Sequence, residues 1–230
     1  MNAELAGRLN APQRLYSNAA LAVAALAFAG FARSYYLRAF LGGRHLTPLV
    51  HLHGILMTGW MVLFVTQTLL IAKRRVAVHR RLGIAGAVLA VVIVLVGSLT
   101  VAAAIERRFP GVGRIRCGWI FVEFDGLSLW VFGALVCAAI LWRSRGEVHK
   151  RLMLCATVAL LPPAVGRIAE HLVPASDWNL SIAAATTGAF AVVCALTDAL
   201  RLGRVHPAMA WGTASVLAAN LLTRLAQLGD

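Results

Sequence analysis

Hydrophobic residues are gathered along the chain into seven long segments, which short polar connections separate. Each segment is long enough to cross the roughly 30 Å hydrocarbon layer of a bilayer as one helix. The apolar runs are continuous rather than alternating, which favours helices over the strands of a barrel. The predicted spans are about 15–36, 47–72, 82–105, 120–142, 152–172, 180–200 and 207–228. The pattern therefore predicts an all-α, polytopic membrane bundle that occupies residues 1–230 as a single domain.

Three connections repeat one local pattern, in which a basic turn is followed by Val-His and a new apolar segment. They read RVAVHRRLG, RGEVHKRLM and GRVHPAMAWG, and they place His79, His149 and His206 at matching positions. Repeated hairpins are common in membrane proteins and put equivalent residues at one depth. The repeat predicts three helical hairpins, formed by spans two and three, four and five, and six and seven, with the first helix added.

The composition agrees with a membrane protein: 60% of the residues are hydrophobic, 13% are charged, and the mean hydropathy is +0.78. A soluble domain carries roughly twice that share of charge. The net charge of +13 comes mostly from short runs between apolar segments, where Lys and Arg set membrane topology. We therefore expect no nucleic-acid partner. The four cysteines form no CxxC motif, which argues against a disulfide framework and a thiolate zinc site.

Lysine and arginine residues indicate the orientation of the spans. The loops after spans two, four and six are basic, and they share one side of the membrane with the N-terminal residues Arg8 and Arg14. Both lysines, Lys73 and Lys150, fall on this side, although the loops after spans one and three also contain arginines. The positive-inside tendency assigns this side to the cytoplasm. We therefore predict a multipass protein of the bacterial inner membrane, with a cytoplasmic N-terminus and a periplasmic C-terminus.

Ionisable residues in the outer half of the spans carry most of the functional information, because charge is expensive to bury in lipid. His51 and His53 lie near the start of span two, Asp125 lies near the start of span four, and Arg167 and His171 lie near the end of span five. Positions i and i+2 of a helix point to nearly opposite sides, so His51 and His53 cannot both serve one small site. The five groups are predicted to converge at a similar depth.

Several kinds of site fit this set of side chains. Two histidines from different helices, His51 or His53 with His171, could ligate a haem b axially. Histidines together with carboxylates could instead hold iron, copper or zinc. Asp125 and Arg167 would then orient a ligand or pair with a haem propionate. The structural alternative is an intramembrane Asp125–Arg167 ion pair, with the histidines hydrogen-bonded between helices.

The inner ends of the spans offer a second candidate site, made by the repeated histidines His79, His149 and His206. They could be interfacial side chains among lipid phosphates, or they could form a ligand pair or a quinone contact. Asp198 lies one turn before Arg201 near the inner end of span six, and this spacing indicates an i,i+3 ion pair.

A different feature, Pro162-Pro163, is expected to bend span five, and such a bend can open a cavity at mid-depth.

The phrases SYYLRAF, HLHGILMTGW, AVHRRLG, EVHKRLMLCATVALLPPAVGRI and VHPAMAWG cover much of the chain. In them the sequence resembles a family of seven-helix bacterial integral membrane proteins, and this resemblance implies a topology but no activity. The HRRLG phrase is also similar to a turn of cytochrome b561-like and ferric-reductase-like proteins. That likeness implies haem histidines in pairs within the spans. Spans three and four lack a histidine in their apolar centres, which leaves at most one well-placed haem.

Three functions follow from these observations. The first is a membrane protein that binds haem b or a transition metal in a redox role, as an oxidoreductase or an electron-transfer component. The second is an accessory or scaffold subunit of a larger respiratory or photosynthetic membrane complex, since the connections leave no room for a soluble catalytic domain. The third is a small-solute or proton transporter that uses Asp125, Arg167 and the proline bend. The expected partners are the lipid bilayer, other membrane subunits and a quinone.

Overall fold

The computed structural model of the protein describes residues 11–43, 45–110, 126–173 and 179–228. Within these ranges the chain is helical and contains no strand, which confirms the predicted all-α class. The first helix continues into one π-helical turn, Ala32–Tyr36. The α-helices are α1 (Ala11–Phe31), α2 (Pro48–Ala72), α3 (Val76–Arg108), α4 (Gly126–Leu141), α5 (Gly146–Ala159), α6 (Pro162–Leu172), α7 (Asn179–Leu202) and α8 (Pro207–Leu228).

Five segments of the described chain are long and apolar enough to cross a membrane. They are Arg14–Tyr36, Pro48–Ala72, Val76–Arg108, Gly146–Leu172 and Ser181–Leu202. The fourth of them consists of α5 and α6 together. α4 is apolar but shorter, with 16 residues, and α8 is not among the five although it has 22 residues. The long apolar helices identify a helical membrane protein.

The beginning of α2 follows from its first residues. The Thr47 hydroxyl oxygen accepts a hydrogen bond from the Val50 N–H at 3.4 Å, and Pro48 occupies the first turn. Both features stabilise a helix N-terminus, because the cap satisfies a free N–H and proline has none to satisfy. The predicted span 47–72 is therefore reproduced almost to the residue.

The turn between α2 and α3 is shorter than the pattern of charges indicates. It contains only Lys73–Arg75, with Arg74 in the left-handed backbone region at a φ of 56°. α3 begins at Val76, whereas the predicted third span began at Leu82. The basic residues after the turn join the helix, because long cationic side chains can extend from a helix end towards water. His79 consequently lies within the first turn of a helix.

The segment that consists of α5 and α6, called the central segment below, lies at the centre of the bundle. In its most apolar stretch 72% of the sequence is buried, whereas the corresponding share in the other four long apolar segments is between 17% and 39%. α5 packs against α1, α4, α7 and α8, and α6 packs against α1 and α7. The pairs α2–α3, α4–α5 and α7–α8, which the repeat predicts as hairpins, are also in contact. The residues of α5 and α6 are therefore the ones most shielded from lipid.

Prolines interrupt the central segment, as the sequence indicates. α5 ends at Ala159 and α6 begins at Pro162. Pro162 and Pro163 have no N–H, so they cannot complete the helical hydrogen bonds to the carbonyl groups four residues earlier. α6 packs closely against α1 where Gly30 meets Ala164. The approach is so close that a Cβ atom at Gly30 would collide with the Ala164 backbone.

Candidate functional site

Polar side chains meet at both ends of the bundle, and each end is named here after one histidine. The His79 end contains the beginnings of α1, α3, α5 and α8 and the ends of α2, α4 and α7. Hydrogen bonds join these helix ends across the bundle. The His53 end contains the beginnings of α2 and α4, the end of α3, and the break between α5 and α6. Each end thus gathers residues that are far apart in sequence.

Two repeated histidines face each other at the His79 end. The ring centroids of His79 and His149 are 6.3 Å apart and the ring planes are inclined by 84°. His149 Nδ1 lies 2.8 Å from the carbonyl oxygen of Ala139. A carbonyl only accepts hydrogen bonds, so Nδ1 carries the proton, and in the neutral form of such a ring Nε2 is the nitrogen that can accept a bond or ligate a metal. The tautomer of His149 is therefore set by α4.

Unpartnered acceptors lie beside this histidine pair. Gln67 donates a hydrogen bond from Nε2 to the His79 carbonyl oxygen at 3.2 Å, which joins the end of α2 to the start of α3. Gln67 Oε1 and His79 Nδ1 are buried, and neither has a hydrogen-bond partner in the part of the chain that the structure describes. Buried polar atoms are usually satisfied, so these two atoms mark a place where a bound group would gain contacts.

A buried ion pair lies between α5 and α7 at the same end. Arg151 donates to Asp198 through Nε at 2.6 Å and through Nη2 at 2.9 Å, and both side chains are almost fully buried. The Tyr16 hydroxyl donates to the same carboxylate at 2.8 Å. Glu147 accepts a bond from Arg151 Nη1 at 2.6 Å, and it also pairs with Lys150. The bidentate geometry and the added tyrosine satisfy a charge that would otherwise be costly to bury.

The sequence interpretation missed this network, although it contained two usable signals. Local spacing indicated Arg201, on the same helix, as the partner of Asp198, but its hydrogen-bonded partners come from α1 and α5. Arg151 also occupies the position in its repeat that Arg81 occupies in the preceding one. Arg81 is exposed and Arg151 is buried, because α3 lies at the edge of the bundle and α5 at its centre.

The third repeated histidine, His206, has a different role from the other two. Its Nδ1 accepts a hydrogen bond from the Ala208 N–H at 3.1 Å, so its ring caps the start of α8. Burial lowers the pKa of His206, and the nearby positive charge of Arg151 lowers it further. Both effects favour the neutral ring, which is the form that can accept the capping bond.

Of the three histidines predicted as outer-half ligands, only His53 lines a described cavity, which is partly open. This cavity has a volume of about 90 Å³ and lies at the break between α5 and α6. Its lining is His53, Met57, Gly97, Thr100, Val101, Ser128, Leu129, Ala159, Leu160 and Pro163. The other two histidines, His51 and His171, are exposed in the described structure, and the His51 ring packs against Tyr35 with centroids 5.8 Å apart.

The remaining members of the predicted outer site are also separated from His53. Arg167 places its guanidinium 5.0 Å from the centroid of the Phe31 ring. Asp125 lies outside the described residues, so its predicted pairing with Arg167 remains a prediction. Among the described residues, no hydrogen bond, ion pair or ring contact joins any two of the predicted outer-site side chains. The structure brings together the inner pair His79 and His149 instead.

Neither end provides a complete metal site from protein ligands alone within the described ranges. There, no group of three or more His, Cys, Asp or Glu side chains is arranged to hold a metal ion. His79 and His149 would supply two ligands. Comparisons with models of protein families, with curated proteins and with solved structures find no match to this chain.

Proposed function

We propose that this protein spans the bacterial inner membrane seven times and binds haem b or a transition-metal ion between His79 and His149, in a redox role. Its N-terminus is then cytoplasmic, its C-terminus is periplasmic, and the His79 end faces the cytoplasm. The observation that carries the proposal is the facing of the two imidazole rings, which come from the two most similar repeats of the chain.

The separation of the two rings suits a shared metal centre. A metal ion about 2 Å from one nitrogen of each ring lies roughly 3 Å from each centroid, so two ligating imidazoles have centroids roughly 5–6.5 Å apart. The centroids of His79 and His149 are 6.3 Å apart, within this range. Haem b would be held by the same two histidines. When bound, such a group supplies one-electron chemistry that side chains lack.

The contacts around His149 support a ligand role. Metal-ligating histidines usually donate their second ring N–H to a carbonyl or carboxylate, which fixes the ring and raises its basicity. The Ala139 carbonyl fulfils this condition for His149. The Arg151–Asp198 pair holds the beginning of α5 against α7 two residues further on, so the backbone that carries His149 is held in place. Arg80 and Arg81 follow His79 and are exposed, so they are available to an anionic group such as a haem propionate.

Optical spectra and metal analysis of the purified protein test this proposal. We expect a Soret band, or about one transition-metal ion per chain, in protein expressed with iron and haem precursor. The His79→Ala and His149→Ala variants should each lose it. The matched control is His51→Ala, which removes an exposed histidine of α2 and should leave the signal unchanged.

Two results would contradict the proposal. The first is wild-type protein with neither Soret absorbance nor stoichiometric metal. The second is a signal that survives in His79→Ala and is lost in His53→Ala, since that result would place the bound group at the His53 end.

One observation favours a second candidate function, which is transport of protons or of a small neutral solute. The central segment is broken and a cavity lies beside the break, as in transporters with discontinuous helices. Flux into liposomes separates the two functions, because transport would persist in protein that contains no haem or metal.

A further inference from the structure

The cavity at the His53 end is lined by two residues whose carbonyl groups lack the usual helical hydrogen bond. Ala159 would normally accept a helical bond from residue 163, but residue 163 is a proline and has no N–H. Leu160 would accept from Ala164, whose N–H bonds to Leu161 at 2.9 Å instead. Both carbonyl groups therefore lack a helical partner, and both residues line the cavity.

A third unpartnered atom comes from the opposite wall. His53 Nδ1 is buried and has no hydrogen-bond partner among the described residues. An imidazole nitrogen in this position can accept one bond or donate one, depending on the tautomer. A buried polar atom without a partner costs about 1–3 kcal/mol relative to a satisfied one. His53, Ala159 and Leu160 line one space, so a molecule bound there could hydrogen-bond to the ring nitrogen and to the two carbonyl groups that lack helical partners.

Size and charge narrow the choice of that molecule. One water needs roughly 10–15 Å³ of cavity space, so the cavity volume of about 90 Å³ is large enough for a small cluster of waters. The described lining residues include no carboxylate that would neutralise a bare cation, and most of the remaining lining is apolar. A neutral hydrogen-bond donor of the size of water satisfies these conditions.

We infer that this cavity is a hydration site, in which a small cluster of waters joins His53 on α2 to the carbonyl groups of Ala159 and Leu160. The waters complete the backbone hydrogen bonds that the proline pair removes. They also let His53 exchange its ring proton within the bundle, which is a first requirement for a proton path beside the central segment. The inference does not depend on a cofactor at the His79 end.

Radiolytic footprinting of the intact protein in detergent or nanodiscs tests the inference. Ionising X-rays produce hydroxyl radicals from bound waters, and these radicals oxidise adjacent thioethers. Met57 lines the cavity, whereas Met61 lies one turn further along the same helix, is 4% exposed and does not line it. In water enriched in oxygen-18, Met57 should become labelled several-fold faster than Met61.

Variants of His53 show whether the label comes from this cavity. His53→Leu removes the polar partner while keeping a side chain of similar size, and it should reduce Met57 labelling to the rate of Met61. His53→Gln keeps a hydrogen-bonding group and should preserve the labelling. His51→Leu is the matched control, because His51 is exposed and does not line the cavity.

Two outcomes would overturn the inference. Equal labelling of Met57 and Met61 in the wild-type protein would show a dry cavity. Fast labelling of Met57 that persists in His53→Leu would show that the radicals come from elsewhere. Because Met57 is partly exposed and Met61 is buried, the apolar variant is needed to assign the label to the cavity, and His53→Phe replaces His53→Leu if the leucine variant fails to fold.

Discussion

The two ends of the bundle differ in the kind of polar group that they bury. At the His79 end, Arg151 and Asp198 are almost fully buried and form direct hydrogen bonds with each other, helped by Tyr16. At the His53 end, His53 Nδ1 is buried without a partner among the described residues, and the carbonyl groups of Ala159 and Leu160 lack their helical partners. The comparison shows that Arg151 and Asp198 are buried together as opposite charges, whereas neutral polar atoms at both ends, Gln67 Oε1 and His53 Nδ1 among them, are buried without a partner in the described part of the chain.

The largest expected effect comes from breaking the charged pair. Asp198→Ala leaves the Arg151 cation buried with only the exposed Glu147 carboxylate as a counter-charge, and removal of one partner of a buried pair typically costs about 3–5 kcal/mol. We expect little monodisperse protein, and a strongly lowered melting temperature by nanoDSF in detergent.

The controls for this prediction use the same arginine. Glu147→Gln alters the exposed partner of Arg151 and should cost at most about 1 kcal/mol, because exposed ion pairs contribute little. The double variant Arg151→Met/Asp198→Leu should recover most of the stability, since apolar replacements of both partners leave no buried charge. A melting temperature of Asp198→Ala equal to that of Glu147→Gln would contradict the comparison.

The second prediction concerns packing at the His53 end, which depends on close approach of helices rather than on charge. Gly30→Val places a side chain against the Ala164 backbone and should separate α1 from α6, at a cost of about 1–3 kcal/mol or more. Gly59→Ala is the control, because its added Cβ would meet only Leu89 at an ordinary 3.9 Å. Equal melting temperatures for the two variants would show that the close contact between Gly30 and Ala164 does not stabilise the packing of α6 against α1.

A smaller effect is expected from the hydroxyl group that completes the charged network. Tyr16→Phe removes the bond to Asp198 and leaves the ion pair intact, so we expect a loss of about 1–3 kcal/mol. Tyr35→Phe also removes a hydroxyl hydrogen bond, to the exposed His51 carbonyl at 3.2 Å, and should have little effect. Similar melting temperatures for the two variants would show that Tyr16 contributes nothing beyond the ion pair.

The smallest expected effect is a pH dependence at the start of α8. The pKa of His206 is lowered in the folded protein, first by burial. The neutral ring is therefore the form that stabilises the fold. This contribution is complete above the ordinary histidine pKa of about 6.5 and is lost as the pH falls through the lower folded value.

His206→Asn should flatten this part of the stability profile, because asparagine can cap a helix but does not titrate. Melting temperatures measured between about pH 7.5 and about pH 5 would show the difference. An unchanged slope in the variant would assign the pH dependence to other groups.

The sequence predicted the helices and the break better than it predicted the partners of charged residues. Periodicity and proline chemistry are local, so the bounds of α2 and the interruption at Pro162 could be read directly. The opposite orientations of His51 and His53 also follow from helix geometry. Which of the two faces the interior depends on where neighbouring helices pack, and no local pattern contains that information.

The partner of Asp198 shows the same limit more sharply. Arg201 was the natural choice by spacing along the helix, whereas Arg151 is 47 residues away in sequence. Choosing Arg151 requires knowing that α5 lies at the centre of the bundle and α3 lies at its edge. The repeat places Arg81 and Arg151 in equivalent positions, so only the assembled bundle distinguishes them.

The distance in sequence between Arg151 and Asp198 also has a consequence for biosynthesis. A ribosome adds about 5–20 residues per second, so the 47 residues that separate the pair take roughly 2–9 s to synthesise. During that interval the arginine has entered the membrane or waits at its surface, and its aspartate has not been made. Until α7 has been made, Glu147, four residues before Arg151, is the one carboxylate of the described network that can pair with the arginine.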